Sequence, residues 1–168
     1  MRSCASSSTG CVPASVVRWP PGAAPEGAPI HTWNALEIAA PPERVWPWLV
    51  RPLTWPTYYD NASNVRFLDG GGPELALQTR FRWKTFGVTV ETIVTELVPN
   101  ERLAWSGKTI GGAGHHGWVI EPTTGGCRVV TEETQRGIVP SLGRWFLRRG
   151  LLTQHQRWLE GLARMALA

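Results

Sequence analysis

Apolar and polar positions alternate with a period of two through most of the middle of the chain. Leu75, Leu77, Thr79, Phe81 and Trp83 interleave with Ala76, Gln78, Arg80, Arg82 and Lys84. That pattern predicts a strand with one buried and one wet face. Phe86-Gly87 marks a turn, and Val88–Val98 continues as a strand to the turn pair Pro99-Asn100. Arg102–Lys108 places Leu103 and Trp105 on one side, and the following strand does the same with His116, Trp118 and Ile120 before Pro122. Thr123-Thr124-Gly125-Gly126 reads as a hairpin turn, with a last strand over Cys127–Gln135. No helical period interrupts residues 62–136, so the strands form an antiparallel meander.

The flanks read differently. His31–Ala40 is a strand, with Trp33 and Ala35 on one of its faces. Pro41-Pro42-Glu43-Arg44-Val45-Trp46 then opens a helix, since proline suits the first turn and a carboxylate there meets the positive dipole end. Pro47 keeps that helix short or kinked. Pro52 and Pro56 bracket a second short helix that ends at Tyr58-Tyr59. A final helix starts at Ser141 or Gly143. Its Leu151, His155, Trp158, Leu162 and Met165 step by four and three into one apolar stripe.

The predicted class is therefore α+β: an antiparallel sheet against a long C-terminal helix, with two short helices between strands one and two. A sheet with one apolar face needs a cover. A single helix rarely fills the hollow of a curved sheet, so a mostly apolar pocket for a small molecule is expected between them.

Composition changes this picture in three places. Residues 1–29 hold five prolines among many Ser, Ala and Gly, which predicts a disordered leader ahead of a ligand-binding domain over 30–168. The chain carries ten tryptophans, and an indole joins a large apolar area to one N–H donor, which suits a half-wet pocket wall. The net charge is +4, with Arg144, Arg148, Arg149, Arg157 and Arg164 in the last 25 residues against Glu160 alone. A solvated helix face is the simplest account of that stripe. Weak contact with a membrane surface is the sharper one, and no nucleic-acid partner is expected. Cys4, Cys11 and Cys127 form no paired spacing, which fits a reducing cytoplasm, and no apolar run is long enough to span a bilayer.

Two motifs tempt and fail. Gly112-Ala113-Gly114-His115-His116-Gly117 matches G-x-G-x-x-G, yet a strand-forming segment ending in Pro122 follows where a helix should open. Its glycines are expected in a mobile loop at the sheet rim. His115 and His116 are adjacent on a strand and point to opposite faces, so they cannot chelate one ion. Neither metal nor another cofactor is expected.

The pair Glu132-Glu133 offers more. If Val129, Thr131 and Glu133 face inward, Glu133 meets His116 across the hairpin. Such a pair either closes one end of the core or moves protons. The predicted catalytic candidates are His116 and Glu133. The predicted ligand-binding residues are Trp55, Tyr58, Phe81, Trp83, Trp105, His116, Trp118, Glu133, Leu151 and His155.

Several segments together resemble the polyketide cyclase/dehydrase and lipid-transport family of the START-like (Bet v 1-like) superfamily. They are Ala39-Ala40-Pro41-Pro42-Glu43-Arg44-Val45-Trp46, Trp55 with Tyr58, Val94–Trp105, and Gly125–Glu133. The resemblance covers about residues 30–168. It implies a helix-grip fold, a seven-stranded antiparallel sheet wrapped around the C-terminal helix, with a ligand cavity between them. It also implies binding of lipids, sterols, polyketides or hormones, with cyclisation or dehydration in some members. Three readings follow: a carrier of a hydrophobic small molecule, a cyclase or dehydratase in the same cavity, and an interaction module using the basic C-terminal helix.

Overall fold

In the computed structural model, which describes residues 17–168, the alternating segments pair into one seven-stranded antiparallel sheet. Its strands are β1 (Ile30–Ile38), β2 (Ser63–Phe67), β3 (Arg80–Thr85), β4 (Val88–Val98), β5 (Arg102–Thr109), β6 (Gly112–Thr123) and β7 (Gly126–Arg136). The order is β1-β7-β6-β5-β4-β3-β2, so β2 through β7 are neighbours both in sequence and in space. The chain crosses from the β1 edge to the β2 edge through α1 (Pro42–Val50) and a 3-10 turn (Pro52–Thr57). The long helix α2 (Ile138–Leu167) then covers the inner face. This is the helix-grip arrangement expected from the sequence.

Register fixes what the inner face carries. Thr32 of β1 lies opposite Glu133 of β7, Glu133 opposite His116 of β6, and His116 opposite Trp105 of β5. Antiparallel partners directly across a sheet point to the same side. These four residues therefore make one inward row across four strands. A second row sets Trp118 against Thr131 and Leu103.

The core fills the end of the molecule where α1, the 3-10 turn and the last half of α2 meet the sheet. Trp55 is fully buried, with ring centroids 5.0–5.8 Å from Trp158, Trp83, Trp105 and Phe81. Its indole donates to the Leu49 carbonyl at 3.1 Å, so the buried N–H is satisfied. Gly161 of α2 has a packing role: a Cβ there would sit 2.6 Å from the Tyr58 carbonyl oxygen. Only glycine lets the helix approach the 3-10 turn this closely.

Four expectations need correction. Strand β3 begins at Arg80, not Leu75, because residues 76–79 form a turn in which Thr79 N donates to the Ala76 carbonyl and Gln78 takes φ +66°. Leu77, assigned to the buried face, is 58% exposed. The glycine-rich stretch from Gly112 is the start of β6, not a mobile loop. Helix α2 begins at Ile138, ahead of Ser141 and Gly143, with Pro140 in its first turn where a missing N–H breaks no helical bond.

The fourth correction concerns residues 17–29, which lie against the outer face of the sheet. Val17 is buried with Val119 and Val130, and Trp19 meets the rings of His31 and His115 edge-on. Arg136 donates to the carbonyls of Ala24, Glu26 and Gly27. The rest of the proposed leader, with Cys4 and Cys11, lies outside the described residues. Cys127 is buried and unpaired.

Candidate functional site

Between the sheet and the first two-thirds of α2 lies a cavity of about 230 Å³. A buried apolar cavity of roughly 150 Å³ already admits a benzene-sized guest. Its inner end is indole and phenol: Trp83, Trp105, Trp158 and Tyr59. Tyr59 stacks on Trp158 with centroids 4.4 Å apart. Its mouth opens between the β3–β4 and β5–β6 hairpin tips and the start of α2. Phe86, Val88, Ile110, Val139 and Leu147 stand there.

One polar cluster interrupts this apolar lining. β6 supplies His116, β7 supplies Glu133 and α2 supplies His155. Glu133 Oε2 lies 3.1 Å from His155 Nε2 and 3.4 Å from His116 Nδ1. The two imidazoles stack with centroids 4.6 Å apart. Each ring has a threonine at its other nitrogen: Thr131 Oγ1 at 2.6 Å from His116 Nε2, and Thr32 Oγ1 at 3.4 Å from His155 Nδ1. Gln135 donates to the second carboxylate oxygen of Glu133 at 2.6 Å.

Protonation follows from these contacts. Burial pushes the Glu133 carboxyl up, but the His155 hydrogen bond, the two imidazoles and Gln135 outweigh it and bring the pKa down to about 2. His116 moves down to about 3, chiefly because burial disfavours its cation, and the neighbouring His155 adds to that against the pull of Glu133. At neutral pH the pair is thus an ionised carboxylate beside a neutral imidazole. A carboxylate only accepts, so His155 Nε2 donates to it. The same three residues offer a cation two ring nitrogens and a carboxylate oxygen within 4.8 Å of one another. Here those atoms are engaged with each other.

Of the residues predicted from sequence, Trp83, Trp105, His116, Glu133, Leu151 and His155 line the cavity. Trp55, Tyr58, Phe81 and Trp118 are buried in the solid core instead. Tyr58 donates to the Trp48 carbonyl and receives the Trp158 N–H, which locks its hydroxyl into the packing. His115, as expected, turns to the outer face, where Ser106 meets its Nδ1 at 3.0 Å. Missed were Tyr59, Thr92 and Trp158 on the walls and the apolar ring at the mouth. Trp158 was legible as part of the α2 stripe. Of the mouth residues, Phe86, Val88 and Ile110 were legible only as hairpin ends, positions that ordinarily carry polar side chains, and Val139 and Leu147 lie on α2 ahead of the stripe read from Leu151.

Comparison with known proteins places this geometry. The model of the family described as polyketide cyclase / dehydrase and lipid transport matches residues 32–167. No curated protein matched the chain. Among solved structures, the hypothetical protein jhp0584 from Helicobacter pylori is 26% identical with a TM-score of 0.83, over 94% of this chain and 99% of that one. The ZhuI aromatase/cyclase from Streptomyces sp. R1128 is 16% identical with a TM-score of 0.69, over 81% and 92%. The di-domain aromatase/cyclase StfQ of the steffimycin biosynthetic pathway is 15% identical with a TM-score of 0.68, over 82% of this chain and 50% of that one. At the last two identities the likeness is one of fold. The match to the family model spans most of the sequence, and the chain belongs to the polyketide cyclase/dehydrase and lipid-transport family.

Proposed function

We propose that the protein binds a hydrophobic small molecule, aromatic or with an apolar chain, in the cavity between sheet and α2. The observation that carries this reading is the lining itself: indole walls interrupted by one polar cluster, the mixture of apolar surface and a few placed polar groups that marks ligand sites. Glu133 is held ionised and faces the cavity, so it suits a hydroxyl or N–H on the guest as an acceptor. The family's lipid-transport members support the same reading.

A cyclase or dehydratase in the same cavity is the second reading. It is favoured by the His116–Glu133–His155 cluster and by the aromatase/cyclase fold neighbours. The protonation argument ranks it second. A general base works best with a pKa near the working pH. Glu133 at about 2 and His116 at about 3 are both too weak as bases at pH 7. Binding needs no such match.

The test fills the cavity. Leu151 is buried on its wall, and Leu151→Trp would occupy much of the space. Titration with a naphthalene-class fluorophore, read by energy transfer from the indoles, should show saturable uptake by the wild type. The filled variant should lose it at least tenfold while keeping its far-UV spectrum. Equal uptake by both proteins removes the cavity as the site. Turnover of a poly-ketone substrate that His116→Ala abolishes, with uptake unchanged, would promote the second reading.

A further inference from the structure

The first half of α2 is polar where it should be apolar and apolar where it should be polar. Extending the buried stripe of Leu151, His155 and Trp158 back along the helix reaches Arg148 and Arg144. Pro140 and Leu147 keep to the cavity side, but the other large apolar side chains of this half lie off that line. Ile138, Leu142 and Trp145 form their own stripe by steps of four and three, with Phe146 beside it, and all four face solvent. Leu142 is 85%, Trp145 78% and Phe146 88% exposed. Scattered exposed leucines need no explanation, but a contiguous aromatic and aliphatic patch of this kind marks an interaction surface.

The patch continues onto the sheet. The hairpin tips Lys84-Thr85-Phe86-Gly87 and Lys108-Thr109-Ile110-Gly111 repeat one arrangement, a lysine two residues before an exposed apolar side chain. Ile110 is 97% exposed. Both tips touch the same half of α2: Val139 N donates to the Gly111 carbonyl at 3.1 Å, and Phe86 lies over Gly150. The two tips, with Val139 and Leu147, stand at the cavity mouth, and the exposed stripe of α2 runs beside it along the outer side of the helix. The charge of this rim is uniform, since Arg144, Arg148, Arg149, Lys84 and Lys108 are all exposed and no Asp or Glu occurs between Glu133 and Glu160.

We propose that this rim docks on an anionic lipid bilayer, with Trp145, Phe146 and Ile110 inserted among the headgroups, so that the guest passes between membrane and cavity without crossing water. The proposal rests on the carrier reading. Charge complementarity selects the occupant. Basic residues around exposed aromatic and aliphatic side chains are the composition of interfacial helices that bind anionic membranes. A second copy of the chain would bring arginine against arginine with no carboxylate in the patch to offset them.

The test is co-sedimentation of the full chain with vesicles of phosphatidylcholine alone or mixed with phosphatidylglycerol. Binding should be at least about tenfold stronger to the anionic vesicles and should weaken in high salt. Trp145→Ser with Phe146→Ser should abolish it, and Arg144→Glu with Arg149→Glu should cost about tenfold or more. Both variants should still take up the fluorophore from solution. Leu151→Trp should lose uptake yet still sediment, so failure of the carrier reading and failure of docking give different results. No sedimentation by the wild type, or unchanged sedimentation of the serine variant, overturns the proposal. So does a dimer, seen by light scattering, that the serine variant dissociates while vesicle binding is absent.

Discussion

From Leu151 onward, α2 buries Leu151, His155, Trp158, Leu159, Leu162 and Ala166, while ahead of Leu151 only Pro140 is buried. The two halves share a helix and differ in what their apolar residues face. The second half meets β1, β7 and α1 and has most of its large apolar groups in the core, with Leu152 half-buried and Leu167 exposed at the end. The first half stands over the cavity mouth with its aromatic residues turned away from the sheet. Stability is therefore concentrated in residues 151–166, and residues 138–150 are free to serve something other than folding. Substitutions of the same chemical kind should have opposite consequences in the two halves.

The largest effect is expected at Trp158. It is buried among Trp55, Tyr59, Trp83 and Trp118, and its N–H is directed at Tyr58. Trp158→Ala should cost about 3–5 kcal/mol, as cavity-creating aromatic truncations do. Urea unfolding followed by far-UV circular dichroism measures it. A loss below about 1 kcal/mol would mean that the second half does not hold the fold.

The polar cluster sets a pH dependence of similar order. A histidine with its folded pKa lowered is neutral in the native state, so the unfolded chain binds more protons below about 6.5, the ordinary histidine value. His116 therefore withdraws stability as pH falls from about 6.5 toward its folded value of about 3. Glu133 acts in the same direction lower down. Its folded pKa is depressed, so the stability it adds is full above the ordinary glutamate value of about 4.3 and is lost as pH falls toward about 2. Between pH 6.5 and 4 the His116 contribution is on the order of 3 kcal/mol. His116→Asn should reduce the slope over that interval and leave the part supplied by His115, whose pKa burial also lowers. An unchanged slope would show that His116 is not the group titrating there.

Gly161→Ala comes next. The added methyl would meet the Tyr58 backbone oxygen at 2.6 Å and must push helix and turn apart, which should cost about 1–3 kcal/mol despite alanine's higher helix propensity. The same change at Gly150 meets only the edge of Phe86 at 3.6 Å and should be neutral or stabilising. Paired melting curves of the two variants compare the halves at constant chemistry.

How far these contrasts were legible in the sequence depends on which periodicity carries them. The meander and the inward row were, because a period of two plus one hairpin turn fixes which residues oppose each other: His116 faces Glu133 once Thr123–Gly126 is read as the turn. His155 was legible as part of a stripe but not as the third member of the cluster, since helical spacing says which face a residue is on and not which strand it meets. Depth was not legible. Trp55, Phe81 and Trp118 obey the same pattern as Trp83 and Trp105, and only the packing of α1 and the 3-10 turn decides which indoles fill the core. The reversed first half of α2 was hidden for a simple reason. The apolar stripe was read only from Leu151 onward, where Arg144 and Arg148 interrupt its continuation, and the large apolar residues ahead of it carried no reading of their own.

The smallest effect is the one that tests the comparison most sharply. Trp145 is as large and apolar as Trp158, yet among the described residues it makes a single ring contact, Arg144 lying 5.9 Å over its centroid, and no core contact. Trp145→Ala should change stability by no more than about 0.5 kcal/mol, the range for exposed sites, because no cavity is opened and no buried donor is orphaned. Helix propensity, if anything, favours alanine. Urea unfolding of this variant beside Trp158→Ala measures the contrast directly. A loss above about 1.5 kcal/mol at Trp145 would mean that the first half of α2 is packed in solution, either on its own sheet or on a second copy. The dependence of that loss on protein concentration would separate those two cases, since only the second follows mass action.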